Sequence, residues 1–125
     1  MELEYLESGS QECPLIRLYK FDRAQASALR DIFRRLAGAS DAALLLHNQS
    51  FIEPVNGCRL QLRVDRRDLG IVSKGPNSFE CVLSAAGWED VAGLVQPFCD
   101  SDVAGHQWLN ESSEISLLLS ASGRW

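Results

Sequence analysis

The stretch DRAQASALRDIFRRLAG, residues 22–38, determines how the neighbouring segments are assigned. Its apolar residues recur at the spacing of one helical face, and they are Ala26, Leu29, Ile32, Phe33 and Leu36. Asp22 can cap the free amides of the first turn, and Gln25 three residues later completes a capping box. Gly38 is a common residue just after a helix. The pattern therefore predicts a helix over residues 23–37.

Short apolar runs on both sides of this helix predict strands. In LIRLYKF, residues 15–21, the apolar Ile16 and Leu18 alternate with more polar residues, which indicates a strand with one buried face. ALLLHN, residues 43–48, is predicted to be a buried strand, although an extension of helical structure would have the same apolar pattern.

The pair Asn56-Gly57 lies between two apolar runs and predicts a hairpin. Both residue types readily adopt the positive φ angles that a type I′ turn requires. Beyond the turn, apolar and polar residues alternate over residues 60–64, so that strand should have one buried and one wet face. Pro54 cannot donate a ladder hydrogen bond, so its arm should lie at an edge or end early.

The second half of the chain contains the same kinds of element. FECVL, residues 79–83, predicts a strand, and the turn-rich stretch before it contains the short strand IVS, residues 71–73. Ser84 caps a second predicted helix, which Pro97 should end or kink, and its apolar face is Trp88, Val91, Val95 and Phe98. HQWL and EISLLLS form a last hairpin. Leu118 falls on its outer face, which we expect to be covered by a helix or by a partner chain.

These elements predict an α+β fold, with a mainly antiparallel sheet and two helices in the order β-α-β-β-β-β-β-α-β-β. The strands at 60–64 and 115–119 should share that sheet. Strand, helix and hairpin occur twice along the chain, so two β-α-β-β halves are a hypothesis for the topology. Residues 1–12 hold four Glu and no Lys or Arg, and we expect a flexible acidic segment there. Residues 13–125 are expected to form a single globular α+β domain.

The composition is that of a globular protein, with 46% hydrophobic and 23% charged residues. The first residues lack the basic flank and apolar centre of a signal peptide, and no apolar run is long enough to span a membrane. We therefore expect a cytoplasmic protein in which the four cysteines stay reduced. They are Cys13, Cys58, Cys81 and Cys99.

The net charge of −5 is distributed unevenly along the chain. Residues 1–12 carry −4, residues 13–74 carry +5 and residues 75–125 carry −6. A negative net charge makes nucleic-acid binding by the whole chain unfavourable. A local anion site is still compatible with the positive charge of residues 13–74.

The motifs of common catalytic and cofactor sites are missing from the sequence. No C-x-x-C pair suggests a zinc site, no G-x-S-x-G suggests a serine nucleophile, and no glycine-rich phosphate loop occurs. His47 and His106 could each meet a cysteine in space, but nothing local specifies such a pair. We therefore assign no catalytic residue, no metal and no cofactor, and a non-enzymatic domain is favoured over an enzyme.

Arginines form the one surface feature that indicates binding. The candidate anion-binding or partner-binding residues are Arg23, Arg30 and Arg34 on the first helix, and Arg59 and Arg63 on the outer face of a strand. The planar guanidinium group suits carboxylate and phosphate groups. The competing interpretation is a solvated face whose charges have local partners.

Three functional hypotheses follow. The first is a non-enzymatic module that works through contacts with a protein partner or with a second copy, since the charge split and Leu118 favour association. The second is a binder of an anionic ligand or nucleic acid through the arginine-rich face. The third is a divergent enzyme with a His/Cys site.

Overall fold

The computed structural model describes residues 1–39 and 42–125, and two helices and nine strands lie in this part of the chain. The helices are α1 (Arg23–Ala37) and α2 (Ala85–Asp100). The strands are β1 (Glu2–Leu6), β2 (Leu15–Tyr19), β3 (Ala43–Leu45), β4 (Glu53–Pro54), β5 (Arg59–Val64), β6 (Gly70–Gly75), β7 (Ser78–Leu83), β8 (His106–Asn110) and β9 (Ser116–Ser120). Short 3-10 turns occupy Leu46–Asn48 and Val55–Gly57.

The strands form two mixed sheets. Sheet A has the order β4-β1-β2-β9-β8, and sheet B has the order β3-β5-β7-β6. The pairs β1–β4, β2–β9 and β5–β7 are parallel, and the other pairs are antiparallel. The predicted α+β class is confirmed, and so is the predicted order of strands and helices, to which β1 adds one strand. The predicted single sheet is wrong, because β5 and β9 lie in different sheets, and both sheets are mixed, with four of the seven strand pairings antiparallel.

Two of the three parallel pairs, β2–β9 and β5–β7, arise because the two halves of the chain exchange strands. The segment β1-β2-α1-β3-β5 has the same topology as β6-β7-α2-β8-β9. In each half the first two strands form an antiparallel pair in one sheet, and the last two form an antiparallel pair in the other. A helix crosses from one sheet to the other, so β2 lies beside β9 and β5 beside β7. The two hypothesised β-α-β-β halves are therefore observed as a repeated topology. Each half has one additional strand before it, β1 in the first and β6 in the second.

The acidic N-terminus is part of the fold. β1 pairs with β2 over five residues and also with β4. Leu3 is fully buried and Tyr5 packs on Phe79 of sheet B, with 4.5 Å between ring centroids. The expected flexible segment over residues 1–12 is therefore wrong for Glu2–Leu6, because Leu3 and Tyr5 pack in the core while Glu2 and Glu4 alternate with them on the other face.

The turn at Asn56-Gly57 has the predicted backbone but not the predicted role. The φ angles are 54° at Asn56 and 68° at Gly57. β4 before this turn joins sheet A, whereas β5 after it joins sheet B, so the turn does not close a hairpin. It marks the point where the chain passes between sheets. Pro54 lies on the edge of sheet A, as expected from its missing amide proton.

Both helices cover the inner faces of the sheets. The predicted bounds of α1 and its capping box are confirmed, with Gln25 N donating to Asp22 Oδ1 at 2.8 Å. Ser84 caps α2, which continues through Pro97 to Asp100, so of the two outcomes predicted for this proline, an end or a kink, the helix end does not occur. The apolar faces of both helices join the inner faces of both sheets in one hydrophobic core.

The outer face of sheet A is covered by the chain itself. Leu118 points outward, yet it is fully buried within a single chain, so its burial requires no partner. Ser120 is also fully buried, and its Oγ donates to the carbonyl of Arg124 and accepts from the amide of Gly123. The indole of Trp125 donates to Glu12 at 3.3 Å.

Candidate anion-binding site

The outer face of sheet B carries polar side chains from its two central strands. In the parallel pair of β5 and β7, Arg59 lies opposite Ser78, Gln61 opposite Glu80 and Arg63 opposite Val82. Five of these six side chains are polar or charged, and the sixth, Val82, is fully buried. The alternation predicted for β5 is therefore observed. It places Arg59 and Arg63 on the same face, with Gln61 between them along the strand.

Arg63 is neutralised by its neighbours. Its guanidinium lies 3.1 Å from Glu80 Oε1 and 3.2 Å from Asp65 Oδ2. Hydrogen bonding to Glu80 raises the pKa of Arg63 further above its usual value. The backbone amide of Arg66, together with Arg63, lowers the pKa of Asp65. Two carboxylates therefore already occupy this guanidinium, which leaves little capacity for an external anion.

Arg59 has no such partner. In the described part of the chain, neither Arg59 nor the nearby Lys74 of β6 forms an ion pair, and both side chains are exposed. They line a small pocket of about 110 Å³ whose residues come from all four strands of sheet B and the turn after β3. This basic pocket consists of Leu45, His47, Arg59, Gln61, Lys74, Ser78 and Phe79.

The hydrogen bonding of His47 sets the proton position on its ring. Its Nδ1 atom lies 3.0 Å from the backbone amide of Leu60. Nδ1 also lies 3.3 Å from the carbonyl oxygen of Leu60. The amide can only donate and makes the shorter contact, so we assign Nδ1 as its acceptor and the ring proton to Nε2. His47 thus provides an N–H donor to the basic pocket, beside the amide of Gln61 and the hydroxyl of Ser78. Two cations and three neutral donors at one end of a sheet form an arrangement suited to an oxyanion.

The three candidate arginines of α1 lie on a different element and have other contacts. Arg30 and Arg34 both donate to Oε1 of Gln96 on α2, at 3.2 and 3.1 Å, and this brings them together. Arg30 also pairs with Asp31 at 3.1 Å. Arg23 pairs with Asp102 at 3.3 Å at the start of the helix. The five predicted arginines are therefore divided between helix α1 and sheet B.

Lys74, Ser78 and His47 were missed as binding residues by the sequence interpretation. Lys74 was assigned to a turn, and it belongs instead to edge strand β6. The pairing of β5 with β7 brings Ser78 opposite Arg59, and that pairing joins segments from different halves of the chain. The only available sequence signal was the alternation over residues 78–83, which places Ser78, Glu80 and Val82 on one face.

The histidines and thiols do not form catalytic pairs in the described residues. The ring of His47 contacts the backbone of Leu60, and His106 packs edge-on against Trp108. Burial raises the pKa of Cys81 to about 12 and that of Cys58 to about 11. Both thiols therefore stay protonated near neutral pH, whereas a nucleophilic cysteine requires a thiolate.

This burial predicts the reactivity of the thiols. At pH 8, we expect Cys58 and Cys81 of the native protein to resist an aromatic disulfide reagent, because they are buried and protonated. Only the partly exposed Cys13 and Cys99 should react, and all four should react in denaturant. Counting the released thiolate by absorbance checks this. Replacing His47 or His106 with alanine should not change the rate, and a fall in rate would instead support the His/Cys enzyme hypothesis.

Three further findings complete the description of the site. Within residues 1–39 and 42–125, no group of three or more His, Cys, Asp or Glu side chains could hold a metal ion. In the same ranges, no helix combines the length and the apolar character needed to cross a membrane. Comparisons of the chain with protein-family models, with curated proteins and with solved structures found no match.

Proposed function

We propose that the protein is a non-enzymatic binding module that holds an anionic group in the basic pocket of sheet B. The observation that carries this proposal is the contrast between neighbouring arginines of β5. Arg63 is held by two carboxylates, whereas Arg59, with Lys74 beside it, has no carboxylate partner in the residues described. Unpaired cations that converge on one pocket favour an anion from outside the chain.

The pocket volume limits the size of the group that it holds. A volume of about 110 Å³ is roughly that of three or four liquid water molecules, which fits one phosphate, sulfate or carboxylate group. A longer ligand would extend from the pocket along the face of sheet B, where Leu45 is 37% exposed and offers an apolar contact.

Phosphate titration tests the proposal. At low salt, we expect inorganic phosphate to shift the amide resonances of residues in the basic pocket. The double variant Arg59→Gln/Lys74→Gln should weaken this binding about tenfold, because two charge-assisted contacts are lost. Arg67→Gln is the matched control, since Arg67 is exposed and lies outside the pocket. Equal weakening in the control and the double variant would count against the pocket and indicate a general charge effect.

Self-association stays a second candidate, favoured by the charge split of the chain. Leu118 is buried by its own chain, so only the uneven charge distribution still favours association. A second copy would then supply the anionic group, because residues 75–125 carry −6. Light scattering at low and high salt separates the two candidates. A dimer that dissociates with salt and is absent in the double variant would make a carboxylate of the second copy the ligand.

A nucleic acid is the third source of an anionic group, and the negative net charge argues against it. A single-stranded oligonucleotide titrated under the same conditions should bind no more tightly per phosphate than the inorganic ion. Much tighter binding that falls steeply with salt would favour a nucleic-acid interface instead.

A further inference from the structure

A second cleft lies where the parallel strands β2 and β9 terminate. α1 begins immediately after β2, and the connection from α2 to β8 passes over the same end. Ligand crevices commonly form beyond the carboxyl ends of parallel strands. The cleft has a volume of about 400 Å³, within the range of small-molecule sites.

The floor of this cleft is apolar. Phe21 and Phe98 meet edge to face, with 5.7 Å between their ring centroids. Val103, Ala104 and Ala121 complete the apolar lining. Phe98 is 5% exposed and Phe21 is half-buried, so the two rings provide a fixed surface for an aliphatic or aromatic group.

Three charged side chains line the rim of the cleft, and they are Arg23, Asp102 and Asp22. Arg23 Nε lies 3.3 Å from Asp102 Oδ1, and their side chains are 55% and 86% exposed. An ion pair this exposed contributes little to the stability of the fold, so its members can exchange partners at small cost. The third charged residue, Asp22, accepts a hydrogen bond from the amide of Gln25 as the cap of α1 and is occupied in that way.

We propose that this cleft binds a free amino acid with an apolar side chain. The ligand carboxylate would pair with Arg23 and its ammonium group with Asp102, while its side chain packs on Phe21 and Phe98. A ligand with only one charge would break the existing ion pair and satisfy only one member of it. A zwitterion satisfies both members of the ion pair, so the rim favours a ligand whose ammonium and carboxylate groups are attached to the same carbon atom.

The equivalent end of the other half of the chain gives an internal comparison. There β5 and β7 terminate beside the start of α2, and a cleft of about 670 Å³ has its own ion pair, Arg63–Asp65, at 3.2 Å. Its described lining contains no aromatic side chain. The aromatic floor formed by Phe21 and Phe98 therefore distinguishes the cleft beside α1 from the cleft beside α2. For this reason we assign the ligand with an apolar side chain to the cleft beside α1.

Calorimetric and NMR titrations with L-phenylalanine and L-leucine test this proposal. We expect saturable binding that shifts the resonances of Phe21 and Phe98. Phenylacetate lacks the ammonium group and phenethylamine lacks the carboxylate, so each should bind about fivefold more weakly than L-phenylalanine. Arg23→Gln and Asp102→Asn should each weaken amino-acid binding about fivefold, and both residues are exposed enough for the fold to persist.

Arg34→Gln is the control, because this exposed arginine of α1 donates to Gln96 and lies outside the lining described for the cleft. It should leave amino-acid binding unchanged, and so should Arg59→Gln in the basic pocket. The proposal is overturned if neither amino acid binds, if the singly charged analogues bind as tightly as the zwitterion, or if Arg34→Gln and Arg23→Gln act alike. These outcomes are independent of phosphate binding, so each proposal can fail alone.

Discussion

Replacing Trp88 with alanine is expected to lower the free energy of unfolding by about 3–5 kcal/mol. The side chain is fully buried and stacks on Phe33 at 5.4 Å between ring centroids, which joins α2 to α1. Its Nε1 donates to the carbonyl of Arg63 at 3.1 Å, which joins α2 to β5. Alanine would leave a large cavity between these elements and would remove the hydrogen bond to the Arg63 carbonyl. Because domains of this size are stable by only about 5–15 kcal/mol, much of the stability would be lost.

Urea denaturation followed by circular dichroism measures this change without depending on tryptophan fluorescence. Trp88→Phe should cost less, about 1–2 kcal/mol, because it keeps an aromatic ring against Phe33 and loses the hydrogen bond. Trp125→Ala is the control, since that side chain is only half-buried and its indole contacts an exposed Glu12. Its cost should stay below about 1 kcal/mol. A similar cost for alanine at Trp88 and Trp125 would contradict the assigned packing.

Replacing Arg17 with alanine is expected to cost about 2–3 kcal/mol. Its guanidinium pairs with Glu4 at 2.5 Å and donates to the carbonyl of Gly123 at 2.7 Å, so it joins β2 to β1 and to the C-terminal residues. It also lies 3.9 Å above the ring of Tyr19. Breaking a fully buried pair costs about 3–5 kcal/mol. The side chains here are 21% and 16% exposed, so solvent screening reduces the expected value.

A double-mutant cycle isolates the contribution of the ion pair. Arg17→Met keeps the aliphatic stem and leaves the Glu4 carboxylate without its partner. Adding Glu4→Gln should recover part of the lost stability, because the uncompensated charge is removed. Arg23→Ala is the matched control, since its pair with Asp102 is largely exposed and should contribute less than about 1 kcal/mol. Additive effects at Glu4 and Arg17 would contradict the inferred coupling.

The accuracy of the sequence interpretation depended on the range of the interactions involved. The bounds and capping box of α1 were predicted because every contact involved lies within four residues. The last hairpin was predicted because β8 and β9 follow one another along the chain and pair with each other. The positive φ angle at Asn56 was also predicted, but its consequence was not, because the partner strands of β4 and β5 are distant in sequence.

Only part of the candidate site could be predicted from the sequence. The alternation along β5 placed Arg59 and Arg63 on one outer face, and the structure has them there. Which of them is free could not be derived, because Glu80 reaches Arg63 only through the parallel pairing of β5 with β7. The same pairing adds Ser78 to the pocket, and the pairing of β6 with β7 adds Lys74.

The sequence alone determined the elements: two amphipathic helices with their caps, the alternating strands, and the α+β class that follows from them. Local hydrogen bonds and the apolar period of each element are sufficient for that. Only the tertiary structure decided that two sheets form instead of one, that the acidic N-terminus is a paired strand, and that Arg59 lacks the partner that Arg63 has. Those features depend on which distant strands lie side by side, and that choice is made by burying one common core between two halves that exchange strands.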